Sequence, residues 1–147
     1  MQIHIFVGAL SFCIFSLGLF LGAGVRPLLM PAMKSDPALI GPIVTGMFSR
    51  YNVLALALSG VSLILELMSS SSRTERFILI GLTLLLALKV AFDSVIKRRE
   101  GAAQIRGRGE EGMQLDLLHQ IVEKATLVII VLSLGSFILS LLQVGEP

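Results

Sequence analysis

Charged residues inside apolar stretches are the first candidates for chemistry in this chain. The segment LLLALKVAFDSVIKRRE, residues 84–100, holds Lys89 and Asp93 about one helical turn apart, well before the basic run at 97–99. A charge deep in a membrane costs about 3 kcal/mol on insertion scales, so such groups are paired or functional. Lys89 and Asp93 are therefore candidate site residues.

A second polar face lies in the segment LDLLHQIVEKATLVI. Its Asp116, His119 and Glu123 are spaced three and four residues apart, which places them on one side of a helix. If the preceding helix leaves the membrane near residue 96, Asp93 lies about 5 Å deep and Lys89 about 10 Å deep. A following helix that enters near residue 115 puts His119 about 6 Å deep and Glu123 about 12 Å deep. These depths predict two pairs, Asp93 with His119 and Lys89 with Glu123.

An interior partner is also favoured by the direction in which the lysine points. Side chains lean toward the N-terminus of their helix, and for Lys89 this direction leads away from the nearer membrane surface. Its ammonium group is therefore poorly placed to reach the lipid headgroups. A further helix enters from the same side with Arg50 and Asn52, which we expect to join the group. The candidate intramembrane polar cluster comprises Arg50, Asn52, Lys89, Asp93, Asp116, His119 and Glu123.

Three interpretations of this cluster stay open. It is a buried ion-pair network that fixes helix register, a site for a proton, an ion or a small polar ligand, or a metal site. A di-iron bundle needs carboxylates on all four helices and a second histidine, so we expect no metal and no cofactor. His4 lies at the opposite boundary of the membrane from His119, so the two cannot hold one haem. We interpret His4 as an interfacial polar residue and Cys13 as a packing residue.

The elements that must position these residues are membrane helices. The 147 residues are 54% hydrophobic, with a mean hydropathy of +0.88 and no Trp. Apolar stretches at about 3–25, 43–67, 77–96 and 115–143 approach or exceed the roughly 20 residues that cross a bilayer. Lipid leaves backbone amides no partner outside their own segment, so these stretches must be helical. We predict an all-α bundle of four transmembrane helices in a single domain, residues 1–147.

The connections between these helices differ in length and charge. Arg26 meets the interface and Pro27 is predicted to end the first helix. The proline-rich linker that follows is predicted to be a short ordered segment at the membrane surface. Residues 97–114 form the one long charged loop. Lys and Arg concentrate in the first and third connections, which places both in the cytoplasm and both termini on the non-cytoplasmic side. This pattern is typical of a bacterial inner membrane protein.

Small residues at four-residue spacing provide faces for close helix packing. Most of this packing is expected within the bundle, with a homo-oligomer or a larger membrane complex as the alternative. The basic residues adjoin apolar segments, so the expected partner is the lipid bilayer and not nucleic acid. The predicted packing residues are Gly18, Gly22, Ala55, Ser59, Ala87, Ala91, Ser136 and Ser140.

Three local patterns carry a family resemblance: GAGVRPLL, GMFSRYNVLAL and LHQIVEKATLVI. With the number and spacing of the apolar segments, the chain resembles the small four-helix membrane family related to transmembrane protein 205, whose bacterial members carry a domain of unknown function. The resemblance implies a four-helix architecture rather than an activity. It carries over Pro27, Arg50, Tyr51 and His119. The segment GAAQIRGRGEEG is longer and more charged than the family pattern.

No nucleophile elbow, phosphate loop, dinucleotide fingerprint or zinc motif occurs in the sequence, so we do not expect an enzyme and assign no catalytic residue. The first functional hypothesis is a small membrane accessory or scaffold protein with a structural charge network. The alternative is a transport or binding protein that handles a proton, an ion or a small polar ligand through Lys89, Asp93, His119 and Glu123. Lipid headgroup binding by the basic loop is a lesser alternative.

Overall fold

A computed structural model describes residues 2–69, 73–100 and 109–144. Four helical stretches in these ranges are long and apolar enough to cross a membrane, so the predicted all-α bundle with four membrane helices is confirmed. The elements are helices α1 (Gln2–Leu19), α2 (Arg26–Ser35), α3 (Pro37–Leu67), α4 (Arg73–Glu100) and α5 (Gly109–Val144), with a π-helical segment (Phe20–Val25) between α1 and α2.

The helices extend beyond the predicted apolar stretches at most of their ends. α5 has 36 residues, equivalent to about 54 Å of helix, whereas the hydrocarbon layer is about 30 Å thick. Residues 97–100 and 109–114 of the predicted loop are helical, and 101–108 lie outside the described residues. Hydropathy marks only the part of a helix that lipid surrounds, because backbone hydrogen bonding continues into the polar ends.

The first helix does not end at Pro27, contrary to the prediction. The turn before Pro27 is π-helical and therefore wider than an α-helical turn: the backbone N–H of Arg26 donates to the carbonyl of Leu21, five residues back. Pro27 then stands in the first turn of α2, where its missing N–H costs little. The chain leaves helical geometry at Asp36, whose side chain accepts a 3.1 Å hydrogen bond from Leu39 N–H at the start of α3.

The long helices form a ring. α1 packs against α3 and α5, and α4 packs against the same two helices. Neighbouring helices are antiparallel: Ser11 on α1 meets Ser136 on α5, whereas Arg26 after the π-helical segment meets Glu123, earlier on α5. Buried positions recur at alternating steps of three and four, as in coiled-coil bundles. On α4 they are Glu75, Leu79, Leu82, Leu86, Lys89, Asp93 and Ile96.

The interior of the bundle is more polar than its outer face. Ser59 and Ser62 are fully buried and donate to carbonyls of their own helix, at 3.0 and 2.9 Å. Small hydroxyl side chains let the helices approach closely where lipid provides no hydrophobic drive for association. One face of α3 is buried along most of the helix and carries polar residues at both ends. The buried residues of this stripe are Asn52, Ala55, Ser59, Ser62 and Glu66.

Candidate functional site

The Lys89 ammonium group is held at the centre of a hydrogen-bonded group. Its Nζ donates to Asn52 Oδ1 at 2.8 Å and to Thr126 Oγ1 at 2.7 Å. Asn52 Nδ2 in turn donates to Asp93 Oδ2 at 2.7 Å. We call Asn52, Lys89, Asp93 and Thr126 the Lys89 cluster. The asparagine amide links a buried cation to a buried carboxylate, so charges and hydrogen bonds are matched across α3, α4 and α5.

Tyr51 covers one side of the Lys89 cluster. Its ring centroid lies 5.8 Å from Lys89 Nζ, within the range of a cation–π interaction. Its hydroxyl donates to the backbone carbonyl of Ile14 at 3.1 Å. A Cβ atom added at Gly18 would lie 2.6 Å from the Tyr51 hydroxyl and 3.1 Å from Ile130 Cγ1, so a larger residue there would have to displace the Tyr51 side chain.

Lys89 and Glu123 do not form the predicted pair, because each has other partners. Glu123 forms a two-pronged ion pair with Arg26, in which Arg26 Nη2 donates to Oε2 at 2.8 Å and Nη1 donates to Oε1. The Lys89 side chain leans toward the start of α4, which brings Nζ level with Thr126 and away from Glu123. His119 lies within electrostatic range of Asp93, and the predicted pair of these two residues stays a prediction.

The remaining residues of the predicted polar cluster do not all converge. Arg50 is exposed, whereas the adjacent Ser49 is buried and accepts a 2.9 Å hydrogen bond from Lys97 Nζ. The side chain of Asp116 lies outside the described residues. His119 is partly buried. The Lys89 cluster thus contains Asn52, Lys89 and Asp93 of the predicted set and adds Thr126.

The predicted small-residue faces are used unevenly. Within the chain Ala55, Ser59, Ser136 and Ser140 are buried, and Gly18 makes the close approach to Tyr51. For Gly22, Ala87 and Ala91 the described residues give no close packing within the bundle, and on α4 the buried face is defined by Leu86, Lys89 and Asp93. A Cβ at Gly22 would meet no atom within 4 Å, and Ala87 and Ala91 are exposed.

A second polar group, not predicted, lies at the other end of the bundle. The ligand atoms of His4, Glu66 and Glu75 all lie within 4.8 Å of one another. Ser140 Oγ donates to Glu75 Oε1, and Gln143 Nε2 donates to Glu75 Oε2 at 2.5 Å. We call His4, Glu66, Glu75, Ser140 and Gln143 the Glu66 cluster. It draws on α1, α3, α4 and α5.

Hydrogen bonding in the Glu66 cluster is incomplete. Glu66 is fully buried, yet neither of its carboxylate oxygens has a hydrogen-bond partner among the described residues. His4 Nδ1 is also buried without a partner, while its Nε2 lies 3.4 Å from Ser69 Oγ. Buried acceptors of this kind are costly unless something supplies positive charge. The cluster therefore has the chemistry of a cation-binding site.

Sequence analysis missed this cluster because both glutamates lie beside a short turn, where charged residues are usually solvated. The signal that could have found Glu66 is the stripe on α3. Glu66 follows Asn52 at the same steps of three and four that bring Ser59 and Ser62 into the interior. A polar stripe on a membrane helix marks the face that lies inside the bundle.

Comparison with known families identifies the family of this chain. The family model described as Domain of unknown function (DUF4149) matches residues 5–108. The chain belongs to this family. The matched region contains Glu66, Glu75, Asn52, Lys89 and Asp93, but α5 contributes Thr126, Ser140 and Gln143 from beyond it. The family's description assigns no function, and the resemblance to transmembrane protein 205 stays a prediction.

No curated protein and no solved structure matches this chain significantly. Function must therefore be argued from the two clusters themselves. One of them is internally satisfied, and the other has free ligand capacity at a buried position. The difference directs the functional proposal to the Glu66 cluster.

Proposed function

We propose that this DUF4149 protein binds a cation, either a proton or a metal ion, inside the membrane at the Glu66 cluster. The observation that carries this proposal is the burial of Glu66 beside a second buried carboxylate, Glu75, with both Glu66 carboxylate oxygens unpartnered among the described residues. Two carboxylates close together in an apolar interior need positive charge at hand. His4 is only partly buried, so the cation would enter past it from the end of the bundle.

Positive charge near Glu66 comes from Arg76, but this residue does not replace the cation. It is close enough to Glu66 to interact electrostatically, yet its Nη2 donates to the backbone carbonyl of Ser69, at 3.4 Å. Arg76 Nε is itself buried without a partner among the described residues. The lone pairs of Glu66 therefore stay available for a bound cation.

Binding is favoured over conduction across the bundle. Between the two clusters the core is closed by large apolar side chains, and nearby serine hydroxyls are engaged with their own helices. We assign the Lys89 cluster a structural role, because its groups satisfy one another. The apolar residues that close the core include Val7, Ile14, Leu79, Leu82, Leu86 and Ile129.

Infrared spectroscopy of the purified protein tests the proposal, because it separates a protonated carboxyl from a carboxylate and from a metal-bound carboxylate. We expect a protonated-carboxyl band or a metal-dependent shift of the carboxylate bands in the wild-type protein. Glu66→Gln should remove that signal, and Glu123→Gln, which alters the exposed ion pair, should retain it. A spectrum with only free carboxylates, or a signal kept in Glu66→Gln, would overturn the proposal.

A second candidate is the accessory or scaffold role, in a bacterial inner membrane with both termini on the non-cytoplasmic side. It is supported by Ala87 and Ala91, which lie four residues apart on α4 and are exposed within the part of the chain that the structure describes. Small residues at this spacing admit a partner helix closely. A second copy of this chain or a subunit of a larger complex would provide that helix.

Cysteine cross-linking in membranes tests this second candidate. With Cys13→Ser as background, Ala87→Cys should form a disulfide-linked dimer or a larger adduct. Leu127→Cys, on an exposed face of α5, serves as the control and should stay monomeric. Equal cross-linking of both variants, or none, would argue against a specific partner at α4.

A further inference from the structure

The three donor atoms of the Glu66 cluster are the starting point for a more specific assignment, which rests on the proposed cation binding. His4 provides an imidazole from α1, Glu66 a carboxylate from α3 and Glu75 a carboxylate from α4. These positions are far apart in sequence and belong to no contiguous motif. We propose that the bound cation is a divalent first-row transition metal ion, held by His4, Glu66 and Glu75.

The state of each donor supports a metal ion rather than a proton. A proton shared by two carboxylates would use only the glutamates and would give no role to an imidazole beside them. Here the buried His4 Nδ1 has no partner among the described residues, so a ring nitrogen is available as a third ligand. Three donors from separate helices that converge within 4.8 Å form a set that a small adjustment of side chains closes around one ion.

Two residues outside the proposed ligand set, Ser140 and Gln143, orient the Glu75 carboxylate. Ser140 Oγ and Gln143 Nε2 each donate to one of its oxygens, which fixes the carboxylate plane and leaves further lone pairs free. Supporting hydrogen bonds of this kind orient metal ligands and typically contribute 10–100-fold to affinity. Glu66 lacks such support among the described residues, so its position depends most on the ion.

The chemistry of the ligands selects the class of metal. One imidazole and two carboxylates suit Zn²⁺, Mn²⁺ or Fe²⁺, whereas Cu⁺ prefers thiolate and thioether ligands. Cys13 is exposed on α1 and is not part of the cluster. With three protein ligands, a tetrahedral ion such as Zn²⁺ keeps one position for water or another ligand. The site would therefore leave the bound ion one open coordination position for a further ligand.

The test uses the full-length protein, purified in detergent and stripped with a chelator. Equilibrium dialysis against Zn²⁺ and Mn²⁺, followed by elemental analysis, should give one ion per chain. Co²⁺ provides an independent measurement on the unaltered protein, because its visible absorption reports the geometry of its ligands. We expect saturation of that absorption at one equivalent and its loss when Zn²⁺ is added.

Variants then locate the ion. Glu66→Gln and His4→Phe should each weaken binding more than about 100-fold, and Ser140→Ala should weaken it about tenfold because it removes only a supporting hydrogen bond. Asp93→Asn, which removes a buried acid from the Lys89 cluster, is the matched control and should bind as the wild type does. Size-exclusion chromatography confirms that each variant is folded before it is compared.

The outcomes separate this inference from the proposed function. Absence of a stoichiometric ion in the wild-type protein overturns the metal assignment, and so does wild-type affinity in Glu66→Gln. If the infrared measurement nevertheless shows a protonated carboxyl that Glu66→Gln removes, the occupant is a proton and the proposed function stands. If neither an ion nor a protonated carboxyl is found at Glu66, both proposals fail.

Discussion

The Lys89 cluster and the Glu66 cluster lie about 21 Å apart along the same two helices, because 14 residues separate Asn52 from Glu66 and Glu75 from Lys89. Both bury ionisable side chains, but they do so differently. Lys89 has two hydrogen-bond acceptors and a carboxylate nearby, whereas Glu66 has no hydrogen-bond donor among the described residues. Unsatisfied buried charge is uncommon in folded proteins and concentrates at functional sites. This difference is the basis for proposing a structural role for the Lys89 cluster and cation binding for the Glu66 cluster.

The largest loss of stability is expected when the Lys89 cluster loses its lysine. Lys89→Met leaves the Asp93 carboxylate buried without its compensating charge and should destabilise the protein by about 3–5 kcal/mol. Unfolding in detergent, by heat or by added SDS, measures the change. Lys124→Met, at an exposed position on α5, is the control and should shift stability by no more than about 0.5 kcal/mol.

A double-mutant cycle refines this prediction. Lys89→Met and Glu123→Gln should be additive within about 0.5 kcal/mol, because the two residues have different partners. Lys89→Met with Asp93→Asn should instead recover part of the loss. Strong coupling between Lys89 and Glu123 would contradict the partners described for the Lys89 cluster.

At the Glu66 cluster, by contrast, we expect a substitution to increase the free energy of unfolding. Glu66→Gln removes a buried charge that lacks hydrogen bonds, so in the presence of a chelator it should stabilise the protein by about 1–3 kcal/mol. The same unfolding assay measures it, with Asp93→Asn as the counterpart that loses stability. A large destabilisation of Glu66→Gln under these conditions would show that Glu66 is satisfied in the folded protein, and the contrast between the two ends would disappear.

Two glycines on α1 allow the helix packing at the two ends to be compared. A Cβ at Gly18 would lie 2.6 Å from the Tyr51 hydroxyl, whereas a Cβ at Gly8 would lie 3.1 Å from Ser140 Cβ. Gly18→Ala should therefore cost about 1–3 kcal/mol through overpacking, and Gly8→Ala should cost less. Gly81→Ala, where a Cβ meets no atom within 4 Å, is the control for the helix preference of alanine. An equal effect at all three positions would contradict the close approach of α1 and α3.

The smallest effect is expected for the ion pair near the Lys89 cluster. The Arg26 and Glu123 side chains are 35% and 48% exposed, so solvent or lipid headgroups can replace each partner. Arg26→Gln should lower the free energy of unfolding by only about 0.2–1 kcal/mol. The unfolding midpoint measured at low and high salt checks this, since an exposed pair weakens with ionic strength. A loss as large as that of Lys89→Met would mean that this pair belongs to the buried network.

The residues of the Lys89 cluster could be predicted from the sequence only in part. Lys89 and Asp93 were identifiable because a charge in the middle of an apolar stretch requires a partner. The hydrogen-bond acceptors of Lys89 could not be predicted from the sequence. The long lysine side chain carries its ammonium group along the helix axis, away from the level of its own Cα atom, to Asn52 and Thr126.

The sequence by itself determined that this chain forms four membrane helices, because lipid offers the backbone no alternative to helical hydrogen bonding. It also determined that one end of the bundle buries a lysine and an aspartate. Only the tertiary structure decided that the helical turn at the start of α2 pairs Arg26 with Glu123, and that His4, Glu66 and Glu75 meet. Those contacts depend on the rotation and relative height of separate helices, which hydropathy and spacing within one segment do not specify.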